Sequence, residues 1–258
     1  MESVKIGWGF EVQRFKIIPR SQHKIERGQA FTAPNGCKFD KDGSLLVPSS
    51  RLITGPNVII DLAQEELIKR WRAIQGSVRQ ISDIAVGDGL VDPTDSDTTL
   101  TNELESKAID SWDDALITPD SSGLSLVKAT VTWLSLEANG ILSELGLKFD
   151  NLDLVTHALF KKVGISDITQ ANPAVVTTVE SSHGLSTGDE IHITGVVGMT
   201  EVNDRTFVIT VVDADEFSLD GEDSTGHGAY VSDGNAFLVI TKTVSDIVQT
   251  NYVLTVQN

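Results

Sequence analysis

The chain has 258 residues and carries 20 Lys and Arg against 37 Asp and Glu, which gives a formal net charge of −17. A chain of this length can bury a sizeable apolar core, and its single cysteine, Cys37, excludes an internal disulfide and a cysteine zinc cluster. No apolar run reaches transmembrane length and the N-terminal segment lacks the apolar core of a signal peptide, so we expect cytoplasmic synthesis without membrane insertion.

The charge is unevenly distributed along the chain. Residues 1–80 contain 13 Lys and Arg against 8 Asp and Glu, residues 81–169 contain 5 against 16, and residues 170–258 contain 2 against 13. An acidic body repels nucleic acid, so we expect no nucleic-acid partner. The basic N-terminal part suits docking on an acidic surface, although solvated faces of ordinary strands explain the same cationic side chains.

The N-terminal segment predicts a β-strand over residues 5–15, because apolar residues alternate there with polar residues or glycine. Turn residues between 31 and 47 then predict short hairpins. We therefore interpret residues 1–56 as an N-terminal β attachment region that pairs with a neighbouring protein. Its candidate interface residues are Lys5, Trp8, Phe10, Arg14 and Phe15. The competing hypothesis is that this region simply completes the sheet of the next domain.

One amphipathic helix is predicted over residues 60–74. Asp61 and Gln64 have the spacing of a helix N-cap pair, and apolar residues up to Ile74 follow at helical spacing. Trp71 lies on that apolar stripe, where a large aromatic side chain is typical of a core position.

Clustered carboxylates raise the question of metal binding. Asp88, Asp92, Asp95 and Asp97 lie close together, but their spacing does not match the calcium-loop signature. Aspartates in tight turns commonly accept hydrogen bonds from the backbone, and this interpretation also covers the later acidic turns at 213–215 and 220–223. We therefore predict no metal, no cofactor and no catalytic residue.

A β module is predicted over residues 170–235. Strand-like segments at 175–179, 190–193, 206–212 and 216–219 are separated by turn residues, and the module contains the words HGLSTGDEI, GVVGMTEVN and VVDADEFSLDG. These words resemble a small domain of bacteriophage tail and fibre proteins that is labelled after the first catalytic cysteine half-domain of ubiquitin-activating enzymes. Its candidate ligand-facing turn residues are Thr200, Glu201, Asn203, Asp204, His227 and Tyr230.

The segments on either side of this module form a second pattern. They read IAVGDG (84–89), TLTNEL (99–104), EANGILSELGL (137–147), LVTHALF (154–160) and ITKT (240–243). This order is similar to a family of phage tail-fibre and baseplate-associated β domains with the words IAVG-G, T-L-NE, EANG--I-E-GLF, L--R--F and ITKT. It implies a discontinuous domain of residues 57–169 and 236–258, into which residues 170–235 are inserted.

The expected fold is therefore mainly β: a sandwich-like β domain with one amphipathic helix, and a small inserted β barrel or sandwich. The resemblance implies a non-enzymatic structural protein of a tailed-phage virion, in the tail tip, baseplate, collar or fibre-attachment region. It would form a symmetric homo-oligomer, a trimer or ring, with other tail or baseplate proteins as partners. The alternative is an adhesin whose inserted domain binds a host-surface glycan or protein, and a weaker one is a carbohydrate-cleaving tail enzyme.

Overall fold

The computed structural model describes residues 5–18, 38–39, 45–56, 58–59, 79–116 and 124–257, and this part of the chain consists almost entirely of β-strands and turns. It divides into two compact units, which we call unit 1 (Met1–Ala158 with Lys242–Asn258) and unit 2 (Leu159–Thr241). The mainly β, sandwich-like fold that the sequence predicts is confirmed. The predicted helix and Trp71 lie outside the described residues. Within the described residues, no helix has the length and apolar character needed to cross a bilayer.

Unit 1 contains thirteen of the described strands. They are β1 (Lys5–Ile18), β2 (Lys38–Phe39), β3 (Leu45–Pro48), β4 (Ile53–Pro56), β5 (Val58–Ile59), β6 (Ile81–Gly87), β7 (Glu103–Ala108), β8 (Ser111–Leu116), β9 (Leu124–Trp133), β10 (Gly140–Leu142), β11 (Glu144–Phe149), β12 (Leu154–Leu159) and, at the C-terminal end, β19 (Asp246–Gln257). One sheet has the order β2-β3-β1-β19-β9-β8, with β4 also paired to β1. A second sheet has the order β5-β12-β11-β6-β7.

Strand β1 lies inside the first sheet. One of its edges pairs with β19 from Lys5↔Gln257 to Lys16↔Asp246, and its other edge pairs with β4 and β3. The side chains of Phe10 and Phe15 are 2% and 1% exposed. This corrects the attachment hypothesis for those two phenylalanines, because a side chain buried in its own sheet cannot contact another protein. Arg14 is half-buried and donates to the Ser49 carbonyl, so it ties β1 to the segment after β3.

Removing residues 1–56 should therefore unfold unit 1. The deletion exposes one whole edge of β19 and removes buried apolar side chains such as Phe10 and Phe15, each of which contributes about 1.5–3 kcal/mol by its burial. We expect insoluble protein, or loss of one of two cooperative transitions in thermal unfolding followed by circular dichroism. A truncated chain that retained both transitions would instead support a detachable N-terminal arm.

Unit 2 is a closed barrel of six strands in the order β18-β13-β14-β17-β16-β15, with β15 pairing back to β18. Its strands are β13 (Lys161–Ile168), β14 (Val175–Thr178), β15 (Glu190–Thr194), β16 (Arg205–Val211), β17 (Glu216–Leu219) and β18 (Asn235–Lys242), with a 3-10 turn at Thr200–Val202. Closure leaves no free strand edge within the barrel. The four strands predicted between residues 175 and 219 are confirmed. Of the two predicted alternatives, a barrel or a sandwich, unit 2 is a barrel.

The barrel extends beyond the predicted insert of 170–235. Strands β13 and β18, which the sequence pattern places in the flanking domain, pair with each other from Lys161↔Leu238 to Gly164↔Asn235 and close the barrel. The physical reason is that Val163 and Ile165 on β13 and Leu238 on β18 are buried. The chain therefore enters and leaves unit 2 on two neighbouring antiparallel strands.

Candidate functional site

The ligand-facing residues predicted from sequence lie on two loops of the barrel, residues 195–204 and 220–234. Val197 exchanges backbone hydrogen bonds with Val231 and Ser232, which joins these two loops. Thr200, Glu201 and Asp204 are exposed on the first loop, whereas Asn203, His227 and Tyr230 are half-buried. We call this surface, defined by these six residues, the barrel-end surface.

Arg205 and Glu222 fix the shape of the barrel-end surface. The guanidinium donates to both carboxylate oxygens of Glu222 at 2.7 and 2.6 Å, and also to the Glu201 carbonyl at 3.0 Å. The Glu201 carboxylate accepts from the Gly228 amide at 3.0 Å, which holds the pKa of Glu201 below its usual range. His227 lies beside the same pair, with Nε2 3.5 Å from the Glu222 carboxylate. Such bidentate pairs give the strongest geometric specificity among side-chain ion pairs.

The remaining predicted residues make internal bonds. The Asn203 side chain accepts from the Val196 amide and donates to its carbonyl, both at 2.8 Å. Asp204 has a left-handed φ of 57° and accepts from the Thr194 hydroxyl. The Tyr230 hydroxyl lies within 3.0 Å of two backbone carbonyl oxygens, and burial together with nearby Asp233 and Asp167 raises its pKa. The Asn203 and Tyr230 side chains therefore support the loops, whereas the Asp204 carboxylate is exposed and accepts a bond from Thr194 through one of its oxygens.

Arg205 was not among the residues singled out from sequence, although a signal for it exists. It is the only Lys or Arg between residues 163 and 241, a segment rich in Asp and Glu. A lone cation in such a segment is a candidate for an ion pair, and the carboxylate that Arg205 binds, that of Glu222, is 7% exposed. The acidic turn at 213–215 behaves as expected, because Asp213 accepts from the amides of Asp215 and Glu216, whereas Glu222 in the turn at 220–223 pairs with Arg205.

A second polar cluster, also missed by sequence reasoning, lies inside unit 1. His157 on β12 is 1% exposed, and its two ring nitrogens contact two different carboxylates. Nε2 lies 2.7 Å from an oxygen of Glu144 on β11, which is fully buried, and Nδ1 lies 2.6 Å from an oxygen of Asp97 on the loop between β6 and β7. We call these three residues the buried triad.

The Glu144 carboxylate also anchors both ends of the β6–β7 loop. It accepts from the amides of Gly89, Thr101 and Asn102 at 3.2, 3.2 and 2.8 Å. A Cβ atom at Gly87 or Gly89 would collide with a Glu144 oxygen, so both positions require glycine. The sequence motifs IAVGDG and TLTNEL therefore both contact the buried carboxylate of Glu144, which lies in the motif EANGILSELGL.

Hydrogen bonds set the direction in which the pKa values of the buried triad are shifted. Burial opposes charge on Glu144 and Asp97, but hydrogen bonds from His157 and from backbone and Thr94 donors hold the pKa of both carboxyls below their usual range. Burial would lower the pKa of His157, but the two carboxylates outweigh it and raise that pKa. The sequence offered a signal here too: the resembled word L--R--F has a cation where this chain has His157.

A third polar cluster joins the words EANG and ITKT. Lys242 is 2% exposed and donates to the Leu134 carbonyl at 2.8 Å and to the Asn139 side chain at 3.2 Å, and burial lowers the pKa of its amine. Glu137 accepts from Lys107 at 2.6 Å and from the Leu134 amide at 2.8 Å. The loop between β9 and β10 is thus fixed by the buried Lys242 and by the half-buried pair of Lys107 and Glu137. Within the described part of the chain, no group of three His, Cys, Asp or Glu is placed to hold a metal ion.

Comparison with known proteins finds a family match for one segment of the chain. Residues 171–239 match the model of the ubiquitin-activating enzyme E1 FCCH domain. The chain is 38% identical over 120 residues to ubiquitin-like modifier-activating enzyme 6 of Homo sapiens, and 36% identical over 116 residues to that of Mus musculus. These alignments cover 44% and 43% of this chain but only 11% of each enzyme. The resemblance of the barrel segment to the FCCH half-domain is thereby confirmed.

Proposed function

We propose that this chain is a non-enzymatic structural component of a tailed-phage virion, in the tail tip, baseplate, collar or fibre-attachment region, and that it acts as a symmetric homo-oligomer. One observation carries the proposal. The separate words of the phage-like pattern converge on two buried polar clusters in unit 1, one around Glu144 and one around Lys242. Because these sequence motifs contact one another within one folded unit, their shared order supports the proposal that they specify a single domain.

The chemistry of the buried triad supports an architectural role. A general acid or base must reach its substrate, but the carboxylate of Glu144 is fully buried and already accepts from His157 and three amides. These carboxylates do not support the weaker hypothesis of carbohydrate cleavage, because the His157 ring lies between Glu144 and Asp97 and contacts both of them.

The named activity of the E1 relatives belongs to those enzymes. The chain covers 11% of their length, and its only cysteine, Cys37, lies outside the matched residues 171–239. We propose that the FCCH-type barrel is used here as a compact folded module, without modifier activation.

The proposal predicts that the chain is present in assembled particles. An epitope tag inserted at Gly226, an open position in an exposed turn, should leave the barrel folded. Gold-labelled antibody should then mark one end of the particle at a symmetric set of positions, and mass spectrometry of purified particles should detect the chain. Untagged particles are the control. Absence of the chain from infectious, gradient-purified particles would refute a virion role.

The adhesin hypothesis is favoured by one specific feature. Arg205 and Glu222 preorganise a rim on which Thr200, Glu201 and Asp204 are exposed, and hydroxyl and carboxylate groups of this kind hydrogen-bond to sugar hydroxyls. If the barrel-end surface binds the host, isolated Leu159–Thr241 should compete with particles for adsorption, and a Thr200→Ala, Asp204→Ala variant should not. Equal competition by both would exclude these side chains from host binding.

A further inference from the structure

The ring of His157 must carry two protons to make the contacts it makes. Both ring nitrogens lie within 2.7 Å of carboxylate oxygens, which only accept hydrogen bonds when ionised. A neutral imidazole has a single N–H, so one of the two contacts would then place a nitrogen lone pair against an anionic oxygen. Because the pKa values of both carboxyls are lowered, both are ionised when the ring is protonated, and the geometry then places an imidazolium ion between two carboxylates.

The three members of the buried triad differ in how they can respond to loss of that proton. His157 and Glu144 are 1% and 0% exposed, so neither can be hydrated without opening the sheet. The side chain of Asp97 is 24% exposed and lies on the β6–β7 loop. Asp97 is thus the partner that can leave the ring and enter water.

The β6–β7 loop is held at its ends and in its middle by different bonds. Glu144 holds the ends through the amides of Gly89 and Asn102, and these bonds do not involve a proton on the ring. The middle is held by the contact between Asp97 and His157, with Asp97 also accepting from Thr94.

We propose that His157 is a proton-operated latch for the middle of the β6–β7 loop: the protonated ring holds Asp97, and loss of the proton releases Asp97 and the turn of residues 94–97 while Glu144 keeps the loop ends in place. The charged groups that act on the ring are Glu144 from β11 and Asp97 from the loop. Further along the same elements, Lys148 on β11 is paired with Glu103 on β7, and Asp88 on the loop is bonded to the Asn102 side chain.

The direction of the pH dependence follows from the pKa shifts. The pKa of His157 is raised, so its contribution is complete below its ordinary pKa and is lost as pH rises through the raised value. The pKa values of Asp97 and Glu144 are lowered, so their contribution is lost only as pH falls through those lowered values. The latch is therefore closed at pH values below the raised pKa of His157 and opens as pH rises through that value.

Residue-resolved hydrogen exchange and histidine NMR of the full chain test this latch. Between about pH 6 and about pH 10, protection of the Thr94 and Asp97 amides, with intrinsic rates divided out, should fall at least about tenfold, while that of Gly89 and Asn102 stays constant. The His157 ring resonance should titrate above the ordinary histidine pKa in step with this fall. The Asp97→Asn variant should show low, pH-independent protection at Thr94, because it lacks the anion that the ring holds. Constant protection of Thr94 in the wild-type chain, a ring that titrates at or below its ordinary pKa, or an Asp97→Asn variant with wild-type pH dependence would each overturn the proposal.

Discussion

Replacing the whole of Leu159–Thr241 with a short Gly/Ser linker should leave a soluble, cooperatively folded unit 1, whereas replacing only residues 170–235 should give aggregated protein. The first replacement removes a closed barrel. The second leaves β13 and β18 without their barrel neighbours, with Val163, Ile165 and Leu238 newly exposed. Moving each such side chain from a core into water costs about 1.5–3 kcal/mol. The cost of all three is a large fraction of the free energy of unfolding of a typical domain.

The linker can be short because of the pairing of β13 with β18. Lys161 lies opposite Leu238, and paired Cα atoms in antiparallel strands are about 4.5–5.5 Å apart. The linker joins Ala158 to Lys242, which lie three and four residues along the chain from this pair, so a flexible linker of about six residues should be sufficient.

Differential scanning calorimetry and far-ultraviolet circular dichroism measure the outcome. We expect the full chain to show the transitions of two units, the shorter chain to show that of unit 1 alone, and isolated Leu159–Thr241 to show that of the barrel with a β-type spectrum. A soluble, cooperative variant lacking only residues 170–235 would mean that β13 and β18 belong to the host domain after all.

The second large effect is expected at the centre of unit 1. Glu144→Gln should lower the free energy of unfolding of that unit by about 3 kcal/mol or more, because it removes the charge from a fully buried ion pair. The amide also cannot accept from every donor that now faces it, which leaves a backbone N–H or the His157 ring without its bond. Urea denaturation at neutral pH, followed on the unit 1 transition, gives the difference directly.

Asp153→Asn is the matched control for this substitution. It makes the same change of carboxylate to amide in an ion pair with Arg79, but the Asp153 side chain is 43% exposed. Exposed pairs contribute about 0–1 kcal/mol, so the control should change the free energy of unfolding by no more than that. If the two variants lost equal stability, the buried triad would be no more important to the fold than a surface pair.

Much of the local structure of this chain can be predicted from its amino-acid sequence. Alternation of apolar and polar residues predicted β1 and the four strands between residues 175 and 219, and turn chemistry predicted the breaks between those four strands. These signals are readable because the period of two along a strand and the backbone demands of a tight turn involve only neighbouring residues. The resemblance in residues 170–235 likewise identified the FCCH-type segment.

Strand pairing and the contacts between charged side chains depend on the fold of the whole chain. Nothing local in β1 shows that both of its edges are occupied, and nothing local in β13 and β18 shows that they close a barrel. Glu144 and His157 are thirteen residues apart, and Asp97 and His157 are sixty residues apart, so no spacing rule connects the three. Pairing partners are selected by the burial of whole faces across the fold, and a carboxylate becomes part of a buried triad only when that burial brings a cation and free amides to it.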